Sequence, residues 1–429
     1  MNLNFRFLKL SVLMLCFFTI QVLAQGGKIE RTFKNVKEVR IKTVSGNCIV
    51  QKGDQNEVKV VVTYSYDDED YEAEIDQRGD RLILRERFVG HRGSWRGRSM
   101  WKLTVPAKTD IEFSTASGDL EVADLNSDIE AETASGDIVL KKMRGNFDVS
   151  TASGDIEGMD LQGRIDLGTA SGNVELRGFT GNVKVGTASG SIRAENVKGE
   201  IDLGTASGDL EVADLNSDIE AETASGDIVL KRMTGNFDVS TASGDIEGMD
   251  LQGRIDFGTA SGNVELRGFT GNVKVGTASG NIRAENVKGE IDLGTASGNI
   301  DIRACSGEFE VGAASGNVDA AKVIIEGRSK FSAASGDVDV SLGKELAHNL
   351  KISSASGDSR LSFNGHPIRG FIEMTAKAGR GRIKAPFKFD DEETYYKWND
   401  EYVTKSVTRG NASPRIEIST ASGRAVLEN

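Results

Sequence analysis

The sequence predicts an all-β fold, a single-stranded parallel β-solenoid (β-helix) with 18-residue coils, capped by irregular β segments. Three observations carry that expectation. First, the Ser-Gly step of a Thr-Ala-Ser-Gly motif recurs at Ser117, Ser135, Ser153, Ser171, Ser189, Ser207, Ser225, Ser243, Ser261, Ser279, Ser297 and Ser315, always 18 residues apart. A fixed short period over such a distance marks a stack of coils, each contacting only its neighbours. Second, apolar residues hold fixed places within each coil. Counting from the Thr, Leu120, Val122, Leu125, Ile129 and Ala131 stand at places six, eight, eleven, fifteen and seventeen. The pairs at six/eight and fifteen/seventeen alternate with polar residues, the period of a strand with one buried face. Third, residues 115–330 contain no Pro, Trp, Tyr or His. Stacked identical layers hold only residues that tolerate copies of themselves, and Pro would delete a ladder donor. A helix is excluded because Gly and β-branched residues recur in every coil.

In chain order, Arg6 and Lys9 precede an apolar run over 10–23 that ends in Val22-Leu23-Ala24. This pattern reads as a secretory signal peptide, 1–24, cleaved after Ala24. Bulky Leu15 before Cys16 argues against a lipoprotein cleavage site. No later stretch is apolar for long enough to span a bilayer. The net charge of −13 argues against a nucleic-acid partner and favours solubility. Residues 25–114 read as an N-terminal β cap with the first coils, with strands expected at 38–43, 58–66, 81–86 and 101–105. Such a cap covers an edge that would otherwise pair with other chains.

Residues 115–330 form twelve regular coils, and 115–204 return as 205–294 with only four changes: Lys142 to Arg232, Arg144 to Thr234, Leu167 to Phe257 and Ser191 to Asn281. Gly145, Gly163, Gly181 and Gly199 mark one corner and Ser-Gly-Asp the other, both expected to need left-handed backbone. Over 331–429 the period loosens, with an insert at 364–414 expected as a cap or flap and a closing coil at Thr420. Cys48 and Cys305 take inward places in distant layers and are read as core residues, not as a disulfide.

The Asp/Asn column at place five invites Ca²⁺, but calcium-loaded β-rolls use a nine-residue Gly-rich repeat that this chain lacks. The column is read as turn residues, with no cofactor and no metal ligands expected. The Thr-Ala-Ser-Gly hydroxyls suggest an outward lattice like that of ice-binding solenoids, against the alternative of stacked hydroxyls bonding along the column. No catalytic residues are expected. There is no His between His91 and His348, and every array carboxylate pair recurs many times, which suits a surface better than an active site. The departures from repetition lie at the ends. A Gly-rich basic loop carries Trp95, Arg96, Arg98 and Trp101, and an acidic aromatic stretch carries Tyr395, Tyr396, Trp398 and Tyr402. Charge and stacking make both candidate ligand contacts, and roofing of the solenoid ends is the plainer reading.

Leu103-Thr-Val-Pro-Ala-Lys-Thr-Asp110, the Thr-Ala-Ser-Gly-Asp-Ile/Leu coils and the closing Arg415-Ile-Glu-Ile-Ser-Thr-Ala-Ser-Gly-Arg-Ala-Val-Leu427 resemble one family. It is the bacterial adhesin-like family with β-strand repeats, a domain of unknown function related to the head domain of autotransporter adhesins. The resemblance implies a solenoid without catalytic residues. No C-terminal membrane barrel follows the coils, so self-export is not implied. The leading expectation is a non-enzymatic adhesin at the cell surface, outside the cell or in the periplasm, meeting a cell-surface glycan, polysaccharide or protein. A periplasmic structural or signalling module comes second and a polysaccharide-active enzyme third.

Overall fold

Each array coil turns its two alternating stretches into two strands. In the second coil these are Ile138–Lys141 and Arg144–Thr151, and its inward Ile138, Leu140, Met143, Phe147 and Val149 are all buried. The structure, a computed structural model, describes residues 26–53, 56–89, 97–397 and 400–429, and shows strands but no helix among them. The expected signal peptide and Cys16 lie outside the described residues. Successive coils pair in parallel, one repeat apart, as in Ile138↔Ile156 and Phe147↔Ile165. Two sheets therefore run the length of the rod around one apolar core of aliphatic side chains and phenylalanines. Where the corner residues also pair with the next layer, the two strands are continuous, as in Ile156–Thr169.

The corners divide their work differently from the expectation. Left-handed backbone falls at place ten, with Asp124 at φ 62° and Asp160 at φ 53°, and at the place-thirteen glycines such as Gly163 at φ 138°. The Ser-Gly-Asp glycine is required instead by closeness. A Cβ on Gly136 would sit 1.8 Å from the carbonyl oxygen of Gly118 one layer away, whereas real Cβ atoms keep beyond 3.0 Å. Close stacking of main chain is the constraint there.

Of the two readings of the Thr-Ala-Ser-Gly hydroxyls, the structure has the stacked column and not the outward lattice. Places fifteen, seventeen and the Thr of the next coil continue one inward alternation, so the Thr column is buried (Thr133 is 3% exposed). Thr241 Oγ1 donates to the Gly226 carbonyl at 3.2 Å and accepts from the Gly244 N–H at 3.0 Å, binding two layers together. The place-five column forms a second ladder. Asp155 N–H donates to Asp137 Oδ1 at 2.8 Å and Asn173 N–H to Asp155 Oδ1 at 2.7 Å, a pattern continued to Arg424 N–H on Asp358 Oδ1.

At the N-terminal end the order of layers leaves the order of the chain. The strands are β1 (Lys28–Lys34), β2 (Glu38–Lys42), β3 (Asn47–Lys52), β4 (Glu57–Tyr64), β5 (Tyr71–Arg78), β6 (Arg81–Phe88), β7 (Ser99–Val105), β8 (Asp110–Thr115) and β9 (Leu120–Ala123). The coil β2–β3 lies between β6–β7 on its outer side and β8–β9 on its inner side, all in parallel. Antiparallel β5 covers β6, β4 covers β7, and β1 covers β4.

Glu86 closes the exposed corner. Its buried carboxylate accepts N–H bonds from Val44 (2.7 Å), Ser45 (2.9 Å) and Gly46 (3.2 Å), and the Ser99 hydroxyl at 2.6 Å. In the array, corner N–H groups such as those of Ala152 and Ser171 bond carbonyls of the adjoining coil.

The C-terminal end repeats the device. Strands Arg415–Thr420 and Arg424–Glu428 lie between the Leu350–Ser354/Ser359–Ser362 coil and the Gly370–Lys377/Arg382–Lys384 coil. Antiparallel Asp400–Arg409 and then Asp391–Lys397 cover Gly370–Lys377. The Thr420 coil is thus the last in sequence and one layer in from the end, while the 364–414 insert supplies the outermost layer. Cys48 and Cys305 are free and buried, and burial pushes both thiols up.

Candidate binding surface

The outward residues of the two sheets differ in how their charge is compensated. On the sheet carrying places six to nine, cations sit among carboxylates. Arg267 meets Glu265 at 2.6 Å and Glu247 at 3.6 Å, and Lys231 meets Glu211 at 3.1 Å. On the other sheet, place sixteen stacks Glu112, Glu130, Asp148 and Asp166 in four successive layers. Asp202 starts a second run in register with Glu220, and Asp238 and Asp256 follow. Directly opposed like charges about 4.8 Å apart repel. Lys184 reaches Asp202 at 3.7 Å and Lys274 reaches Asp256 at 2.8 Å, leaving most of the column uncompensated. Asp292 shows the consequence: burial, then Glu310 beside it, raise its carboxyl above the ordinary range.

This acidic sheet is concave. Two grooves, of about 930 Å³ and 650 Å³, adjoin at Arg164 and run from Glu38 to Asp256. Their floor is backbone at places thirteen to fifteen, and their walls are side chains at fourteen and sixteen. The second groove carries seven carboxylates against Arg40 and Arg164. Arg40 is tied to Glu38 at 2.5 Å and to Glu112 at 2.8 Å. Such a trough offers an extended molecule similar contacts layer after layer. Sequence reasoning noted the array's carboxylates but did not single out this sheet. The signal was present: place sixteen is acidic in four of the five coils of each copy of the duplicated block, Lys184 and Lys274 being the exceptions, while place seven mixes Glu, Val and Arg.

The residues singled out in the end segments separate. Trp101 lies in β7 facing Cys48 in register and is 0% exposed. The β7 alternation turns Ser99, Trp101, Leu103 and Val105 inward, so Trp101 is core and presents no ring to a ligand. Arg98 is exposed beside it, its carbonyl accepting the Ser65 N–H at 2.9 Å. Trp95, Arg96 and Trp398 lie outside the described residues. Tyr395 and Tyr402 are cross-strand partners whose rings stack with centroids 5.6 Å apart. Burial, then the neighbouring Tyr402 and Glu373, push the Tyr395 hydroxyl up. Tyr396 is 73% exposed. The aromatics that roof the N-terminal end are others: Tyr66 stacks on Tyr71 at 4.9 Å and meets Phe88 edge-on at 5.0 Å.

Parallel coils, a buried hydroxyl ladder, an exposed Asx ladder and two long repeating faces define a parallel β-solenoid. Residues 36–247 and 200–385 match Toastrack DUF4097, and the chain belongs to that family. Among solved structures, a putative cell adhesion protein from Clostridium sporogenes is 9% identical, covering 94% of this chain and 99% of its own, with a TM-score of 0.17. A putative adhesin from Bacteroides fragilis is 12% identical over 65% of this chain and 96% of its own, TM-score 0.25. A putative lipid binding protein from Parabacteroides distasonis is 15% identical over 66% of this chain and 96% of its own, TM-score 0.20. Comparison with curated proteins gives no match. Among the described residues no helix is long and apolar enough to cross a membrane.

Proposed function

We propose that this protein is an exported, non-catalytic adhesive rod that holds an extended cell-surface or polysaccharide ligand along its acidic sheet. The observation that carries the reading is the trough from Glu38 to Asp256, whose walls are mostly carboxylates over many successive layers. Repeated weak contacts in register give avidity that no single layer needs to supply. Ligands with positively charged groups, or partners that bring cations, complement its charge.

The reading is tested on intact cells by protease shaving, with a lysed control. Cleavage on intact cells supports a surface role. Protection until lysis overturns adhesion in this form and leaves a structural or signalling module inside the envelope. On the purified protein, combining Asp202→Asn, Glu220→Gln and Asp238→Asn weakens cell or glycan binding about tenfold if the trough is the contact face. Turnover of a glycan, abolished by one point substitution, would instead make the protein an enzyme.

A further inference from the structure

The C-terminal cap holds a second concavity whose charge is opposite to the trough's. A groove of about 420 Å³ opens between the end of strand Asp400–Arg409 and the segments around Ile368 and Phe387. That is the size range of small-ligand sites. Ile368, Phe387 and Val407 give it an apolar floor, and Arg369, Lys388 and Arg409 stand on its rim beside a single carboxylate, Asp390. Three cations around one small hollow are a local inversion on a chain of net charge −13.

The local sequence builds this arrangement. Val407 is buried, and Arg409, two residues on and so on the same face, is exposed at the strand end, where Gly410 (φ 77°) takes the chain away. The Arg409 guanidinium lies 4.9 Å from the Phe387 ring centroid, and its Nε donates to the Ile368 carbonyl at 3.4 Å. It is thereby held in place without a carboxylate partner among the described residues. Lys388 likewise has none, and only Arg369 is engaged, with Glu345 at 3.2 Å. Most cations on the array's mixed sheet are neutralised by their neighbours, as Lys231 and Arg267 are, whereas Arg409 and Lys388 are not.

We infer that this pocket binds a carboxylate-bearing sugar residue of an acidic polysaccharide. A guanidinium held over a hollow, with an exposed ammonium on the same rim, matches a carboxylate, and the apolar floor takes the C–H face of a pyranose. The shallow hollow has no deep apolar channel for an acyl chain. An anionic bilayer is a broad plane that the acidic rod would repel, whereas a thin polymer reaches the basic patch within about 8–10 Å, the screening length at physiological salt. The inference rests on the adhesive reading only in taking polysaccharide as the ligand class, and it uses none of the trough residues.

The test is titration of the full mature chain with oligogalacturonate, with neutral dextran and anionic phospholipid vesicles alongside. Oligogalacturonate binds, dextran does not, and binding weakens as salt rises. Arg409→Ala and Lys388→Ala each lower affinity about tenfold with unchanged circular dichroism, while Arg303→Ala on the array leaves it unaltered. If Arg409→Ala fails to fold, Lys388→Ala, which removes an exposed side chain without a partner, decides alone. Equal binding by the variants, no oligogalacturonate binding, or binding to vesicles alone overturns the inference. Intact-cell adhesion that survives such a result leaves the trough reading standing, so the two fail separately.

Discussion

At the scale of single residues, the array's glycines fall into groups that composition alone cannot separate. Gly136 stacks against main chain, and Gly204, on an outward place of the sheet, has no atom within 4 Å of where a Cβ would lie. Gly136→Ala is expected to cost about 3 kcal/mol or more, because two backbones must part. Gly204→Ala is expected to be neutral, or stabilising by up to about 1 kcal/mol through lost unfolded-state freedom. Chemical denaturation of the two variants checks the contrast, and equal losses would show that stacking distance is not the constraint. The Thr column carries a related lesson. Its inward position was legible, since Thr133 continues the alternation of Ile129 and Ala131 in one strand. The motif reading as a hydroxyl-rich corner hid it.

At the scale of strands and coils, legibility tracked repetition. Leu120, Val122, Leu125, Ile129 and Ala131, assigned to the core by period, are all buried, and four expected N-terminal strands overlap β2, β4, β6 and β7. β1 and β5 were not anticipated. Their partners are chosen by long-range antiparallel pairing, which leaves no period to read. Trp101 is legible in part: it opens the strand expected at 101–105, and its alternation with Leu103 and Val105, not the loop before it, is what turns the ring inward. Glu86 was invisible as a cap because the N–H groups it satisfies are some forty residues earlier in sequence. Glu86→Ala is expected to strand three main-chain donors at the first corner, at about 1–3 kcal/mol for each that water does not reach. Hydrogen exchange should then rise at Val44, Ser45 and Gly46 first, while the array stays protected. Uniform loss of protection would contradict a local capping role.

At the scale of the whole molecule, the near-copy of 115–204 makes length a separable quantity. Coils 187–204 and 277–294 differ only in Ser191 against Asn281. A chain lacking 205–294 would therefore rejoin at an almost unchanged interface. The Asn299 N–H, now on Asn281 Oδ1 at 2.9 Å, would pass to Ser191 Oγ, as the Asp209 N–H already does at 3.3 Å. Five layers at ~4.8 Å each shorten the rod by roughly 24 Å, which small-angle scattering resolves, with β-type circular dichroism and cooperative unfolding retained. Loss of either would mean that the block is not modular. The two ends behave otherwise. Because the closing coil at Arg415–Glu428 is seated beneath the 370–384 layer, residues later in sequence complete an interior course of the stack. The outermost layer gains its partner only once those later residues are in place. Sealing this end of the rod is thereby tied to its closing coil, and a chain truncated before Arg415 would leave the end open as a ragged, protease-accessible edge.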